Sequence, residues 1–167
     1  RDVSQAVFDY IFKDQLHAMM KAYEKSDFDA RKQLNAVFAE LGYFGIQVLG
    51  QLLAETPDRE LRGQIVSIFS QQPQDARRWV IGTLKDQNLS WFIYRNALMI
   101  LREVSSDADD ADLVRPFLSD SHSRVRLEAI NTILELRPED AEGLIIDSLR
   151  DVDDRVSWRA MKAIAEL

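Results

Sequence analysis

The sequence predicts an all-α solenoid of about five stacked helix–turn–helix repeats, and three observations predict it. The stretch from Asp120 to Leu136 recurs 31 residues later, from Asp151 to Leu167. Asp120 meets Asp151, Arg124 meets Arg155, Val125 meets Val156, Ala129 meets Ala160, Ile133 meets Ile164 and Leu136 meets Leu167. A fixed period with matched apolar positions is the mark of stacked repeats, each burying its apolar face against the next. The second observation is apolar residues at helical spacing along the whole chain. The third is the scarcity of glycine (6) and proline (4), which suits helices joined by short turns.

Taken in order, residues 1–23 read as one long helix carrying Val3, Ala6, Val7, Tyr10, Ile11 and Leu16 at roughly helical spacing. Ser26 or Asp27 is placed to cap a second helix, which carries Ala30, Leu34, Phe38 and Leu41 and stops at Gly42. Together these make the first repeat, about 1–42. The second, about 43–72, pairs a helix around Phe44–Leu53 with one from about Asp58 to Ser70, with Pro57 suited to its first turn. Gln71-Gln72-Pro73 breaks the chain. The third repeat, about 74–105, places Ile93, Ala97, Leu101 and Val104 in core positions, after a turn two residues longer than those that follow. The fourth and fifth span about 108–137 and 139–167, with a turn at Pro138 and with Glu139 and Asp140 favouring the next helix start. The whole chain is expected to be one repeat domain. Because the pattern stops at Leu167 without a cap, it is expected to be a segment of a longer protein.

The pattern Leu-x-Asp-x4-Val-Arg-x2-Ala-x3-Ile stands in full at Leu118–Ile133 and nearly so at Leu149–Ile164, where Ser157 replaces the arginine. Leu61-Arg62 and Ala30-Arg31 keep part of it in the second and first repeats. On these residues the chain resembles the HEAT-repeat family, in its PBS-lyase-type, HEAT-like form. The resemblance implies a right-handed α-superhelix whose second helices line the concave face. It also implies a structural role for the Arg31, Arg62, Arg126 series. In the family this arginine and the turn aspartate form a ladder between repeats, here Arg126 with Asp120 or Asp151. The competing reading of the series is a row of ligand-binding cations.

Charge and motifs narrow the function. A formal charge of −7 opposes a sequence-independent grip on nucleic acid. There is no cysteine, which removes disulfides, thiolate metal sites and cysteine nucleophiles. No run reaches membrane-spanning length and no signal-like start is visible, and the expected location is cytoplasmic. Asp107, Asp109, Asp110 and Asp112 cluster before a helix, which raises calcium. However, an EF-hand loop counted from Asp107 would need Gly where Asp112 stands and Glu where Leu118 stands. The cluster reads instead as helix-start carboxylates. His17 and His122 belong to no ligand-spaced set. No His-Glu-x-x-His, Gly-x-Ser-x-Gly or phosphate-binding loop motif is present. The expectation is a protein that is not an enzyme and carries no cofactor or metal.

What remains is the face beside the core. With Val125, Ala129, Ile133 and Leu136 inward, positions 124, 128, 131 and 135 share another stripe of the same helix. Down the repeats that stripe reads Asp29, Gln33, Ala36, Glu40; then Glu60, Gln64, Ser67, Gln71; then Phe92, Asn96, Met99, Glu103. It continues as Arg124, Glu128, Asn131, Glu135 and ends as Arg155, Arg159, Lys162, Glu166. Phe92, Asn96 and Met99 read as the centre of a partner groove, with Arg124, Arg155, Arg159 and Lys162 taking acidic groups. The bland alternative packs Trp91, Phe92 and Tyr94 into the longer turn, with Trp158 and Trp79 in the core or covered by an unseen sixth repeat. The expected function is a protein-interaction scaffold for a peptide or domain. The alternatives are a HEAT-like accessory or enzyme acting on a tetrapyrrole or nucleic-acid base, and a structural spacer.

Overall fold

The computed structural model describes residues 18, 21–23, 25–56, 58–137 and 139–167, excluding the side chains of Phe28, Glu55 and Arg59. Most of the long first helix expected over residues 1–23, with His17, lies outside the described residues, as do Pro57 and Pro138. The described backbone is helical, with no strand among the described residues. It forms two compact units, Arg1–Gln72 and Pro73–Leu167. The boundary falls where the sequence joins its second and third repeats.

In the first unit, α1 spans Phe28–Glu40, α2 Tyr43–Glu55 and α3 Arg59–Phe69. Asp27 opens α1 by accepting the Ala30 amide at 2.9 Å, satisfying a donor that the helix leaves free. Gly42, with φ of 55°, turns the chain from α1 into α2 in a conformation that side chains oppose. The interior of α2 is apolar on more than one side, and Ile46, Val48, Leu49, Leu52 and Leu53 are all buried. That is what a helix covered by neighbours requires. Gly45 lets α2 approach α1 closely, because a Cβ there would run into the Phe38 carbonyl. Asp58 then caps α3 through the Glu60 and Leu61 amides, and Leu61, Ile65, Ile68 and Phe69 are its buried face.

The second unit begins with α4 (Pro73–Lys85), where Pro73 takes the first helical position, which needs no N–H. Next come α5 (Trp91–Val104), α6 (Asp110–Val114), α7 (Ser123–Leu136), α8 (Ala141–Ile145) and α9 (Asp154–Glu166). The first helices expected for repeats four and five are short. Each passes after one turn into a 3-10 segment, Arg115–Ser119 and Ile146–Arg150. Pro116 sits near the start of the former, but the latter has no proline and switches at the equivalent position. The tightening therefore belongs to the repeat. The second helices pack in succession, α5 against α7 and α7 against α9. Buried Thr132 ties α7 to α5, its hydroxyl donating to the Leu98 carbonyl at 3.2 Å. Val125, Ala129, Ile133, Val156 and Ala160 are buried as their periodicity requires, whereas Ile93, Val104 and Ile164 are only partly covered and Leu41 and Leu167 are exposed.

One contact recurs at the start of the second helices. Arg126 donates through Nη1 to the Asp120 carbonyl at 2.8 Å, closing the turn it follows. Arg62 does the same to Thr56 at 3.0 Å, and Arg31 to Tyr23 through Nε at 3.1 Å. In repeat three the equivalent residue is Tyr94, whose hydroxyl donates to the Asp86 carbonyl at 2.6 Å and accepts from the Leu89 amide at 3.1 Å. A phenol here does the work of a guanidinium, across the longer turn. Arg126 also grips Asp151 of the next turn with two hydrogen bonds, at 2.6 and 2.7 Å. Of the two partners expected, the Asp151 carboxylate takes the ion pair, and Asp120 contributes its carbonyl. Arg31 reaches the next repeat through Gln64 at 3.2 Å. The arginine series is structural.

The acidic cluster sits at the start of α6, where Asp107 accepts the Asp109 amide at 3.0 Å, and it is also engaged by arginines. Arg77 holds buried Asp110 with two bonds of 2.6 Å and reaches Asp107 at 2.9 Å, while Ser105 donates to Asp110 at 2.6 Å. Arg137 lies 3.5 and 3.6 Å from Asp109 and Asp112.

The Arg126–Asp151 side chains are only 11% and 8% exposed, so losing one partner strands a charge. Arg126→Ala should cost about 3 kcal/mol in thermal or urea unfolding, and Arg126→Lys should recover only part of it, lacking the two-pronged grip. The Arg126 hydrogen bond holds the Asp151 carboxyl below its ordinary value of 3.8. Such a group adds stability above that value and loses it as pH falls through the lowered one. The stability difference between the chain and Asp151→Asn should therefore shrink on acidification below pH 3.8. Gly45→Ala should force α1 and α2 apart and lower the melting point far more than Gly82→Ala, where an added Cβ meets nothing.

Candidate functional site on the second helices

In the second unit the stripe residues of consecutive helices do meet. Arg159 of α9 donates to the Asn131 side chain of α7 at 2.8 Å. Arg155 reaches Ser123 at 3.5 Å while pairing with Asp153 at 2.7 Å. Arg124 lies 5.4 Å over the Trp91 ring of α5. His122 stacks flat on Trp91, with centroids 3.9 Å apart and planes at 2°, and accepts the Arg124 amide as the cap of α7. Lys162 lies 5.6 Å over Trp158 and 3.7 Å from Glu166. Hydrogen bonds from Arg155 and then Ser123 hold the Asp153 carboxyl far below the usual carboxylate range. Arg124, Arg155 and Lys162 are exposed and Arg159 is half-buried.

The apolar centre needs correction. Asn96 is 3% exposed and offers nothing to a partner, and Phe92 and Met99 are half-buried. The reason is packing: α5 has α4 and α7 against it. Its free arc is therefore narrower than a helix read in isolation would have. The equivalent position on α7, Glu128, is buried too and is held by Arg102 at 3.0 Å and Arg95 at 4.0 Å. Burial raises its carboxyl pKa, against the pull of Arg102 and Arg95. The stripe thus consists of a buried row and an exposed rim, with cations at Arg124, Arg155 and Lys162 and carboxylates at Glu103, Glu135 and Glu166. The bland reading holds for Tyr94, which is buried in its own turn.

The first unit contains a feature that the stripe only half anticipated. An open groove of about 1070 Å³ runs between α1 and α3. All four stripe residues of repeat two line it: Glu60, Gln64, Ser67 and Gln71. From α1 the lining residues are Arg31, Lys32 and Asn35, not Asp29, Gln33, Ala36 and Glu40. Gly63 leaves the α3 wall hollow, since an added Cβ would meet no atom within 4 Å. Asn35 is positioned by the Tyr23 hydroxyl, which donates to its Oδ1 at 2.7 Å. The lining is mixed: amides, a hydroxyl and charges of both signs stand beside Ile68 and the aliphatic parts of the longer side chains. The missed signal was Gly63, whose bare place in a helix makes room.

Among the described residues no group of three His, Asp or Glu could hold a metal ion, and no helix is long and apolar enough to cross a membrane. These features define an all-α protein with polar surfaces on its second helices. Neither a protein-family model nor a curated protein matches the sequence. Among solved structures, the crystal structure of an engineered protein is similar at 15% identity and a TM-score of 0.44, over 90% of this chain and 78% of that one.

Two measurements check this description. Gly63→Ala should raise stability by about 1 kcal/mol, since a mid-helix glycine with open space gains from a methyl group. A buried carboxyl with a raised pKa stays protonated longer in the folded chain. Its contribution is greatest in acid and falls as pH rises from its ordinary value of 4.5 through the raised one. Glu128→Gln should flatten that part of the stability profile, followed by urea unfolding across the acid range.

Proposed function

We propose that this chain is a stack of HEAT-type repeats serving as a non-enzymatic scaffold for a protein partner with an acidic contact segment. One observation carries the reading. Arg124, Arg155 and Arg159 are joined across α5, α7 and α9 into one surface by their contacts with Trp91, Ser123 and Asn131. Their side chains are thus partly ordered before any partner arrives, which lowers the ordering cost of binding. Guanidinium groups also match carboxylates in two-pronged geometry, which Arg155 already uses on Asp153 of its own turn. Lys162 extends the rim. The recurring turn clamp and the Arg126–Asp151 grip support the repeat reading. The groove between α1 and α3 supplies a second contact surface, of mixed polarity, in the first unit. A stacking platform for a tetrapyrrole or a base has less support, because His122 already lies on the Trp91 ring.

The test is affinity capture from the source lysate with this chain and an Arg155→Glu/Arg159→Glu/Lys162→Glu variant side by side. A partner retained by the first, lost by the second and weakened by salt is the expected result, with helicity and melting unchanged. Equal capture by both would remove the rim from the binding surface. Empty columns from both would favour the spacer reading.

A further inference from the structure

The second helix of the last repeat differs from the one before it in how much of its apolar surface is covered. Both α7 and α9 have a preceding second helix against one side, and the inward positions agree: Val125 and Val156, Ala129 and Ala160, Thr132 and Ala163 are all buried. The positions that disagree lie elsewhere on the helix. Ile130 is 0% exposed, and its counterpart Met161 is 55% exposed. Leu127 is half-buried, and its counterpart Trp158 is 56% exposed even with Lys162 over its ring. Leu149 of the 3-10 segment is exposed where Leu118 is half-buried. α7 has α8 and α9 against it from the repeat that follows. α9 therefore presents to solvent the surface that α7 gives to repeat five. A helix with one buried face carries polar residues on its other side unless that side is also covered.

We infer that Leu149, Trp158 and Met161 form a docking face for a helical hairpin of this same repeat type, seated on repeat five as repeat five sits on repeat four. The argument is continuity: the face extends an interface already made within the chain, in the same register of 31 residues. One component is absent. The residue equivalent to Arg126 is Ser157, whose hydroxyl donates only to the Asp154 carbonyl at 3.2 Å. No guanidinium can then reach a turn aspartate of the docked hairpin, so the joint is held by apolar contact without the clamp used between repeats four and five.

The test extends the full chain after Leu167 with a second copy of residues 137–167, which supplies a hairpin in the correct register. Circular dichroism should show helicity added by the extension, and the melting midpoint should rise by about 5 °C. Met161→Glu should abolish that rise in the extended chain while leaving the midpoint of the unextended chain nearly unchanged. Because an added repeat could fail to fold for want of the clamp, a second extended form carries Ser157→Arg, which should raise the midpoint further. An extension that adds no helix in either form overturns the inference. So does a midpoint rise that Met161→Glu does not touch. Concentration-dependent dimers of the unextended chain that Met161→Glu abolishes would also overturn it, making a second copy the occupant.

Discussion

The contact on which the rest depends is the side chain that closes an inter-helix turn onto its own second helix in the first four repeats. A turn exposes carbonyls that no helix satisfies, and a long donor one turn into the following helix can reach back to them. Arg31, Arg62 and Arg126 do this with guanidinium groups, and Tyr94 does it with a hydroxyl. At Arg126 the same group also holds Asp151, so one planar fork fixes a turn and the register of the next repeat. A hydrogen bond to a buried charge is costly to break because what remains cannot be solvated. The clamp therefore matters less as net stability than as geometry, since it leaves the second helix one way to start.

From that geometry follows the division of each second helix into a buried row and a rim. Once α5, α7 and α9 lie side by side, residues facing a neighbour are covered whatever their polarity. Glu128 and Asn96 are buried for this reason, the former at the cost of a raised carboxyl pKa that Arg102 and Arg95 partly offset. Residues at the rim instead find partners along the surface, as Arg159 does with Asn131. Ordered but exposed cations are the chemical resource this leaves. The first unit solves the same problem differently, with Gly63 thinning one wall so that a groove stays open.

The period, the helix starts and the core rows were legible in the sequence because each rests on local chemistry. Asp27 caps a helix, Gly42 ends one and turns the chain with positive φ, and Val125, Ala129 and Ile133 recur on one face. The cap at Asp58 is the exception, missed because Pro57 suits a first helical turn whereas the helix starts at Arg59. The Arg126–Asp151 pair was also legible, through the resemblance that marks that arginine as structural. The 3-10 segments were not, since they reflect how a short helix must end to enter the turn. Tyr94 was not legible as a clamp because a phenol and a guanidinium share no sequence pattern, only reach.

By itself, then, the sequence determined the inward row around Val125, Ala129 and Ile133 and its repeat at Val156 and Ala160. It also determined the cap at Asp27 and which cations share a stripe. All are consequences of a 3.6-residue period and short-range capping. Tertiary structure alone decided what that stripe is worth. Burial of Asn96 and half-burial of Phe92 and Met99 depend on neighbours on both sides of α5. The groove depends on the spacing of α1 and α3, and the exposure of Trp158 and Met161 on what packs against α9. Each is set by the distance between helices remote in sequence, and no local pattern encodes that distance.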